Sequence, residues 1–485
     1  MITIKERVFG SKESCNAIAL AHQGNVVTYK ELLQRISFIS SLIKDKLCSE
    51  GDNVIIYLPN CIFFVSAFFG ILDAGAVAVL VDTNLKAELI DIFNDLNPRL
   101  ILTDELGYKK IIQTCNNAHK DYNILTENEL VDFRYFGNLS LNPTEITDRP
   151  KKPIKKLATI MYTSGSEGRP KGVWNTHQTL INALDNYVST VHLNSQDRLL
   201  SVTPFFHSYA FGSNMLAGLS VGATLFLQTH FQPRTILEII ERDSITIFHG
   251  VPYMYDLMVQ QFETNSYDLR SIRMLISAGA RIRHETLLSF YDKTGCVVHQ
   301  EYGSTETGTI AINLSDNVKN NCMSVGKPLN NVTIRIIHDA VGETEGTILV
   351  KSSGRAGGYY NGACFDAEWY ETGDIGYMDD EGYLIITGRK KRMINVGGLK
   401  VNPVHVEDVI KGIKGVRDVI VQPFSHLDFG EGVEAVIMKE IGVELTQEDI
   451  LAHCRQHLAL YKLPRRIIWE DEMNISALGK VKTRK

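Results

Sequence analysis

Short apolar runs alternate with helix-length amphipathic segments through about the first three hundred residues, and this rhythm restricts the fold more than any other feature of the chain. Runs long enough for a buried strand lie at 54–58, 77–81, 157–161, 274–277 and 297–302. Strands that alternate with helices form largely parallel sheets whose faces the helices cover. Loops that follow such strands meet at the carboxyl edge of the sheet, where α/β proteins bind their ligands. We therefore predict an α/β fold with its functional groups in those loops.

The later part of the chain has a different pattern. Residues 332–351 form alternating, β-branched runs, which predict a small antiparallel sheet. From Leu384 onward a strand, a basic turn and a helix near 404–411 begin a separate α+β module. Because 485 residues exceed the roughly 250–300 that one hydrophobic core serves, we expect two domains, 1–391 and 392–485.

Composition excludes several classes of partner. The chain has 50 Lys and Arg against 56 Asp and Glu, a formal net charge of -6, so no chain-wide basic surface is available for nucleic acid or an anionic membrane. Its eight cysteines include no C-x-x-C pair, which is typical of the reducing cytosol. The apolar stretch 61–81 is interrupted by Asp73, and the N-terminus lacks the layout of a signal peptide. We predict a cytoplasmic protein with no membrane span, in which any phosphate chemistry is local.

A glycine-rich segment follows one of the predicted strands. Tyr162–Gly172 combines three glycines with hydroxyl side chains and the cations Arg169 and Lys171. Glycines let backbone N–H groups turn toward one point, and hydroxyls and cations add further donors, so the segment predicts a site for an anion such as a triphosphate. It is not a Walker loop, because Pro170 precedes the lysine and Gly172 follows it. Its composition alone also fits a surface turn that binds nothing.

Three further parts of the chain carry polar and charged side chains of the same kind. They are Tyr302–Gly308, Trp369–Asp374 together with Gly388–Arg392, and Gly479-Lys480. In this order and spacing, and with the glycine-rich segment, they resemble the adenylate-forming superfamily of acyl-CoA synthetases, aryl-CoA ligases, peptide-synthetase adenylation domains and firefly-type luciferases. The resemblance covers essentially the whole chain, and shorter matches support it at Pro204–His207, Ser277–Ala280, Ser324–Pro328 and Gly397–Val401.

Members of this superfamily use ATP and Mg²⁺ to join a carboxylic acid to AMP, and then transfer the acyl group. The resemblance implies that Lys480 reaches between the carboxylate and the α-phosphate, that Thr305 contacts the α-phosphate, and that Glu306 helps to hold Mg²⁺. It implies that His207 is the gate histidine of acyl- and aryl-CoA ligases, the alternative being a histidine satisfied within the core. The residues implied for the β- and γ-phosphates are Thr163, Ser164, Gly165, Ser166, Gly168 and Lys171.

The resemblance also implies which residues bind the nucleoside part of ATP. Asp374 and Arg389 match the residues that hold the ribose hydroxyls. The pair Tyr302-Gly303 matches nucleotide-binding residues, with Tyr302 against the adenine, and Gly279-Ala280 matches part of the adenine slot.

The small C-terminal domain is implied to be mobile. It rotates between the two half-reactions, presenting Lys480 in the first and the Gly397-Gly398 loop in the second, about a hinge at Arg392. Two residues depart from the family pattern: Arg392 occupies a position where Asp is usual, and Glu167 one where Thr is more frequent. The first reverses the usual charge at the hinge, and the second places a carboxylate in the segment implied for the β- and γ-phosphates.

The acyl group is expected to bind near Ser208, Tyr209 and Gly279. Peptide-synthetase domains for α-amino acids carry Asp at the position of Ser208, where it pairs with the substrate ammonium, and an ammonium without that partner is costly in an apolar pocket. An aryl or acyl carboxylic acid is therefore favoured over an α-amino acid. Neighbouring aromatic side chains fit either an apolar pocket or the protein core: Phe205, Phe206, Phe211, Tyr253 and Tyr255.

The acceptor is expected to bind in trans, because only five residues follow Lys480 in this sequence and no carrier domain is among them. Coenzyme A is the first choice; a separate phosphopantetheinyl carrier protein and direct amide formation with an amine remain open.

Two rival functions are a serine hydrolase, suggested by the G-x-S-x-G match at Gly218–Gly222, and a nucleotide sensor without catalysis. The match lies between a predicted helix and a following strand, the reverse of a nucleophile elbow, and a sensor does not need Lys480.

Overall fold

The predicted alternation of strands and helices is confirmed by the computed structural model. The structure describes residues 2–10, 12, 14–46, 50–85, 88–118, 123–127, 156–163, 170–318, 322, 324–338, 342–396, 399–426, 430–440 and 442–471. Up to residue 227 the described elements are, in chain order, α1 (Ile4–Phe9), β1 (Ile18–His22), β2 (Asn25–Thr28), α2 (Tyr29–Lys46), β3 (Asn53–Tyr57), α3 (Ile62–Asp73), β4 (Val77–Leu80), α4 (Glu88–Leu96), β5 (Leu100–Thr103), α5 (Glu105–Ala118), β6 (Ile124–Thr126), β7 (Leu157–Thr163), β8 (Lys171–Thr176), α6 (His177–Val191), β9 (Arg198–Ser201), a π-helix (Ala210–Leu216), α7 (Ala217–Val221) and β10 (Thr224–Leu227).

The remaining described elements complete two large sheets and add two smaller ones. They are α8 (Pro233–Arg242), β11 (Ile247–Gly250), α9 (Pro252–Gln261), β12 (Met274–Ser277), α10 (His284–Thr294), β13 (Val298–Ser304), β14 (Gly308–Ile312), β15 (Lys327–Pro328), β16 (Val332–Ile337), β17 (Gly346–Ser352), β18 (Gly358–Tyr359), β19 (Tyr370–Met378), β20 (Leu384–Arg389), a 3-10 turn (Lys390–Arg392), β21 (Ile394–Val396), β22 (Leu399–Val401), α11 (Pro403–Lys411), β23 (Val416–His426), β24 (Gly430–Lys439), α12 (Gln447–His457), a 3-10 turn (Leu460–Lys462) and β25 (Arg466–Trp469).

Two largely parallel sheets form the N-terminal part. The first has the order β18-β8-β7-β4-β3-β5-β6, and its strands from β7 to β6 are parallel. The second has the order β15-β14-β13-β12-β11-β9-β10-β1-β2, with a parallel run from β13 to β1. Strands β3 and β12 are buried at every position, as expected where helices cover both faces of a parallel sheet.

Helix α3 lies in a core that the two sheets share. Its residues from Phe63 to Leu72 are all buried, and they pack in one cluster with side chains of β3, β4, β9 and β10. The helix has no polar stripe because protein surrounds it. It ends at Asp73, before Gly75 adopts a left-handed φ of 81°. Within the described ranges no helix is long and apolar enough to cross a membrane, and 61–81 is a buried helix followed by a core strand.

A four-stranded antiparallel sheet follows, in the order β16-β17-β19-β20, which confirms the small antiparallel sheet. The local pattern grouped the strand that starts at Leu384 with the C-terminal module, and this grouping is wrong, whereas the predicted boundary at 391/392 leaves the strand in the N-terminal domain. The strand pairs with β19, and Leu384 is fully buried in the N-terminal core. Its apolar residues are therefore covered by the N-terminal part, a partnership that the local pattern does not specify.

A small α+β domain ends the described chain. Its sheet has the order β22-β21-β24-β23, with β25 parallel to β24, and α11 and α12 contribute to a hydrophobic core of its own. Among the described residues, polar contacts connect it to the N-terminal part. Asp408 forms an ion pair of 2.9 Å with Arg281, and the Asn402 side-chain amide donates to the Thr387 carbonyl oxygen over 2.8 Å. The first contact places the small domain beside the loop that follows β12.

Candidate active site

The predicted phosphate segment connects β7 and β8, which form an antiparallel hairpin. Thr163 and Lys171 lie opposite each other, and the Thr163 hydroxyl donates to the Lys171 carbonyl oxygen over 3.4 Å. The two ends of the segment are therefore held together. Several predicted residues lie outside the described ranges, and their roles stay predictions: Ser164, Gly165, Ser166, Glu167, Gly168, Gly397, Gly398 and Lys480.

A tight turn between β13 and β14 carries Thr305 and Glu306. It follows a β-bulge at Gly303, where a Cβ atom would lie 2.4 Å from a carbonyl oxygen across the hairpin, so a side chain cannot fit. The Ser304 amide and hydroxyl both lie 3.1 Å from the Thr307 hydroxyl. These short-range bonds fix the turn, and the glycine allows it to lie close to the neighbouring strand.

Thr305 contacts the segment that follows β9. Its hydroxyl oxygen is 3.3 Å from that of Ser208. The Tyr209 hydroxyl donates to the Ile276 carbonyl oxygen over 3.1 Å, at the end of β12. Gly279-Ala280 follows that strand and is exposed, with Gly279 at a φ of 86°. The predicted acyl-pocket residues are thus brought together with the predicted α-phosphate donor.

His207 stands at the start of the same segment and is half-buried. Its ring lies 4.6 Å from that of Phe206, centroid to centroid. The core alternative is confirmed for four of the five neighbouring rings, which are buried: Phe205, Phe206, Phe211 and Tyr255. The fifth, Tyr253, is half-buried and packs against Phe231.

Glu306 is connected to Lys171 through a tyrosine that the sequence did not single out. The Tyr359 hydroxyl donates to Glu306 Oε1 over 3.0 Å, and the Lys171 ammonium lies 5.6 Å from the centroid of the Tyr359 ring. Burial and then the Glu306 carboxylate raise the pKa of Tyr359. A groove of about 640 Å³ opens beside these residues, lined also by Tyr162 and Asp95. Glu306 and Lys171, the described residue at the end of the predicted phosphate segment, therefore lie on either side of Tyr359.

A second trio links β13 to the four-stranded antiparallel sheet. The Tyr302 hydroxyl donates to Asp374 Oδ2 over 2.7 Å, and Arg389 Nε lies 3.2 Å from Asp374 Oδ1. Asp374 and Arg389 are opposite each other on β19 and β20, which explains the ion pair. Burial and then the Asp374 carboxylate raise the pKa of Tyr302, so the phenol stays protonated and donates. The predicted ribose residues and the predicted adenine residue are therefore joined.

Arg392, the predicted hinge, bonds to the C-terminal domain. Its guanidinium lies 2.5 Å from Glu407 Oε1 and donates to the Val421 carbonyl oxygen over 3.1 Å. Glu407 also accepts from the Val421 amide over 2.9 Å. In this domain arrangement the guanidinium is therefore paired within the small domain.

The residues present fit Mg²⁺ bound largely through a nucleotide. Mg²⁺ prefers oxygen ligands and is usually held by one or two carboxylates together with phosphates and water. Glu306 supplies a carboxylate whose Oε1 is fixed by Tyr359. Among the described residues no group of three or more His, Cys, Asp or Glu could hold a metal without such a nucleotide.

A buried polar network behind Tyr209 was missed by the sequence analysis. The Ser201 hydroxyl donates to Asn214 Oδ1, and Asn214 Nδ2 lies 3.1 Å from His249 Nδ1. His249 Nδ1 is therefore the acceptor, its Nε2 carries the proton, and it donates to the Tyr187 hydroxyl over 3.0 Å. Burial, and then Arg273, lower the pKa of His249 to about 3, so the ring is neutral.

Glu301 lies near Tyr187 and is 7% exposed. Its Oε1 accepts from the Thr309 hydroxyl over 2.7 Å and the Ser213 hydroxyl over 2.9 Å, while Oε2 has no hydrogen-bond partner among the residues that the structure describes. Burial raises the pKa of Glu301 to about 7, although the hydrogen bonds from Thr309 and Ser213 oppose the rise. The sequence offers only a partial signal, a single carboxylate within a predicted strand, whereas the π-helix that carries Ser213 and Asn214, a form frequent at functional sites, is visible only in the structure.

Replacing Glu301 with Gln is expected to stabilise the protein increasingly as the pH rises from 5 to 8. The folded-state pKa of about 7 exceeds the ordinary value of 4.5, so this group's contribution to stability is present below pH 4.5 and is lost as the pH rises through 7. At about 1.4 kcal/mol per pKa unit the difference reaches at most about 3 kcal/mol. Thermal unfolding of both proteins at pH 5, 6, 7 and 8 measures it. Parallel melting temperatures across that range would contradict the assignment.

The serine-hydrolase alternative requires a strand–turn–helix at Ser220, but this residue lies in a helix. Ser220 lies within α7, and its hydroxyl donates to the Ala217 carbonyl oxygen over 2.8 Å. Gly222 ends the helix in a left-handed conformation, and β10 follows. A nucleophile elbow has the strand before the serine and the helix after it, so this serine is a helical residue without that geometry.

Comparison with known proteins agrees with this arrangement. Residues 8–360 match the family model described as AMP-binding enzyme. The chain is 30% identical to a long-chain-fatty-acid–CoA ligase of Mycobacterium tuberculosis over 89% of this chain and 87% of that protein. It is 29% identical to a feruloyl-CoA synthase of Amycolatopsis over 97% and 95%. The crystal structure of ATP-bound MatB from Rhodopseudomonas palustris aligns with a TM-score of 0.87 and 25% identity, covering 99% of this chain and 97% of that one.

Proposed function

The chain belongs to the AMP-binding enzyme family, and from that premise we propose that it activates a carboxylic acid with ATP and transfers the acyl group to the thiol of coenzyme A. The observation that carries the proposal is the meeting of residues from distant parts of the sequence at one cleft. Thr305 lies beside Ser208, and Glu306 is joined through Tyr359 to Lys171. These are the groups that a triphosphate and a carboxylate need when they are brought together.

The first step brings two anions into contact, which requires cations and fixed donors around the reacting oxygens. A carboxylate oxygen attacks the α-phosphorus, the bond from that phosphorus to the bridging oxygen breaks, and pyrophosphate leaves. We assign Thr305 to the α-phosphate and Lys171 to the β- and γ-phosphates. Lys480 neutralises charge between the carboxylate and the α-phosphate, and Asp374 with Arg389 holds the ribose.

Glu306 is assigned to Mg²⁺, which neutralises phosphate charge when it is bound. Oε2 of Glu306 is the oxygen proposed as its ligand, because Oε1 already accepts from Tyr359. In the second step the thiol sulfur attacks the acyl carbonyl carbon, loses its proton, and AMP leaves. The Gly397-Gly398 loop is assigned to that step, His207 is assigned as the gate histidine, and the small domain is proposed to rotate about Arg392 between the two steps.

The proposed substrate is an aryl or fatty acyl acid. Ser208 offers a hydroxyl where an α-amino acid requires a carboxylate, and the Tyr209 hydroxyl is already bonded to a backbone carbonyl. Two relatives of this chain are CoA ligases, one for long-chain fatty acids and one for ferulate, which supports both the acid class and the acceptor. Loading of a separate carrier protein, or amide formation, is the alternative. The proposed compartment is the cytoplasm, on the sequence grounds given above, and the proposed domain boundary is 391/392.

Exchange of labelled pyrophosphate into ATP is expected to depend on an added aryl or fatty acid and to stay at background with α-amino acids. Addition of coenzyme A should then convert the responsive acid to a thioester, detected by mass spectrometry. Exchange without thioester, combined with acylation of a phosphopantetheinyl carrier or an amine, would replace coenzyme A as the acceptor. ATP binding without exchange by any acid would refute the enzymatic proposal and support a nucleotide sensor.

A further inference from the structure

Tyr359 joins two groups that the proposed function assigns to the triphosphate and its metal ion. Its hydroxyl donates to Glu306 Oε1 over 3.0 Å, and its ring lies under the Lys171 ammonium, 5.6 Å from the centroid. Glu306 lies on the turn after β13 in one large sheet, whereas Lys171 begins β8 in the other. A single side chain therefore spans the two sheets at the cleft.

The backbone around Tyr359 is built to place that side chain. The Tyr360 amide donates to the Gly172 carbonyl oxygen over 2.7 Å, and the Ala356 amide donates to the Glu306 carbonyl oxygen over 2.9 Å. The same short segment thus bonds to the start of β8 on one side and to the turn on the other. These backbone bonds hold both partners of Tyr359 at fixed separation.

The glycines before Tyr359 allow this close approach. A Cβ atom on Gly357 would lie 2.0 Å from the Trp174 ring, and one on Gly358, at a φ of 155°, would lie 2.6 Å from the Ala363 carbonyl oxygen. The rings of Tyr359, Phe365 and Tyr370 then pack in sequence, with centroid separations of 5.1 and 5.0 Å. The phenol ring therefore packs between Phe365 and the Lys171 ammonium while its hydroxyl donates to Glu306.

We infer that Tyr359 is a positioning residue that orients the Glu306 carboxylate for the metal ion of the bound nucleotide. A proton donated to Oε1 fixes the plane of the carboxylate and leaves both lone pairs of Oε2 for the metal. Carboxylates that ligate metals are commonly held by such hydrogen bonds, and losing one typically weakens metal binding by about 10- to 100-fold. The inference rests on the proposed role of Glu306, and it adds a residue that the family resemblance did not assign.

Tyr359→Phe is expected to weaken Mn²⁺ binding to the enzyme–ATP complex about tenfold, while the turnover number at saturating metal changes less than about twofold. Mn²⁺ is the probe because its free form is measured directly by electron paramagnetic resonance, without turnover. Tyr360→Phe is the matched control: it removes the neighbouring phenol, whose oxygen accepts from the Asn53 side-chain amide over 3.1 Å and does not face Glu306. The control is expected to bind Mn²⁺ like the unmodified protein.

The double variant Tyr359→Phe with Glu306→Gln separates a positioning role from a general one. If Tyr359 acts through Glu306, its replacement adds little once the carboxylate is gone. Tyr359→Phe binding Mn²⁺ as tightly as Tyr360→Phe would overturn the inference. So would a further tenfold loss in the Glu306→Gln background, since Tyr359 would then act elsewhere.

Metal binding to the ATP complex does not require adenylation, so the two proposals fail separately. A protein that binds Mn²⁺ and ATP with the expected Tyr359 dependence but shows no acid-dependent exchange refutes the proposed reaction and leaves the role of Tyr359 standing. A protein that is active in exchange but indifferent to Tyr359→Phe refutes the positioning role alone.

Discussion

Replacing Lys480 with alanine is expected to slow acyl-adenylate formation by about 10²- to 10³-fold, the usual scale for losing one preorganised group that stabilises charge. The reaction joins an anionic carboxylate to an anionic phosphate, so the charge that develops between them needs a cation at that point. Family resemblance assigns this place to Lys480. Transfer of the acyl group from a supplied adenylate to the thiol is expected to survive, because that step uses the other domain pose.

Two assays separate these effects: pyrophosphate exchange for the first half-reaction, and thioester formation from a synthetic acyl adenylate for the second. Lys482→Ala is the matched control, since it removes an equal charge two residues further along the chain. It is expected to leave both rates unchanged. An equal fall of both half-reactions in Lys480→Ala would show that the proposed division of labour between domain poses is wrong.

Replacing Asp374 with alanine is expected to raise the KM for ATP about 10²-fold. Asp374 is proposed to accept from the ribose hydroxyls, and hydrogen bonds to a charged group contribute about 1.5–3 kcal/mol each, with 1.4 kcal/mol equal to a factor of ten. The change also leaves the Tyr302 hydroxyl without its acceptor and removes the carboxylate that pairs with Arg389. Loss of orientation at the nucleoside therefore accompanies loss of binding.

Steady-state kinetics at varied ATP measure this effect, and Glu371→Ala is its control. Glu371 lies on the same strand and pairs with Lys390 over 2.9 Å, but both side chains are more than half exposed, at 52% and 54%. Exposed pairs of this kind contribute little, so the control is expected to keep its KM for ATP. A comparable rise of the KM for ATP in both variants would mean that the substitutions disturb the strand, and it would contradict a specific contact of Asp374 with the ribose.

The parallel strands were predictable because their signal is local. A strand buried on both faces needs an unbroken apolar run, and such runs mark β3, β4, β7 and β12 in the sequence itself. The strand at Leu384–Arg389 shows that this local signal predicts a strand but not its pairing partner. Its apolar residues can be recognised in the sequence, but a strand with the same pattern could equally pair with strands of the C-terminal domain. In the structure it pairs with β19.

The candidate site shows the same division. The resemblance assigned roles to Thr305, Glu306, Asp374 and Arg389, which stay predictions, and the structure places these residues in two groups. Tyr359 was missed because it carries no catalytic signature, and its importance lies only in what it touches. Glu301 was missed because a single carboxylate within a strand is ambiguous until its burial is known.

By itself the sequence determined the α/β class, the sequence of motifs and the superfamily, since periodicity and motif spacing are properties of neighbouring residues. Only the tertiary structure decided that Tyr359 bonds to Glu306, that Ser208 meets Thr305, and that Phe205 and Phe211 belong to the core rather than to a pocket. Such contacts join residues far apart in the chain. They form only when packing of the whole core offsets the loss of chain entropy, and no local pattern records that balance.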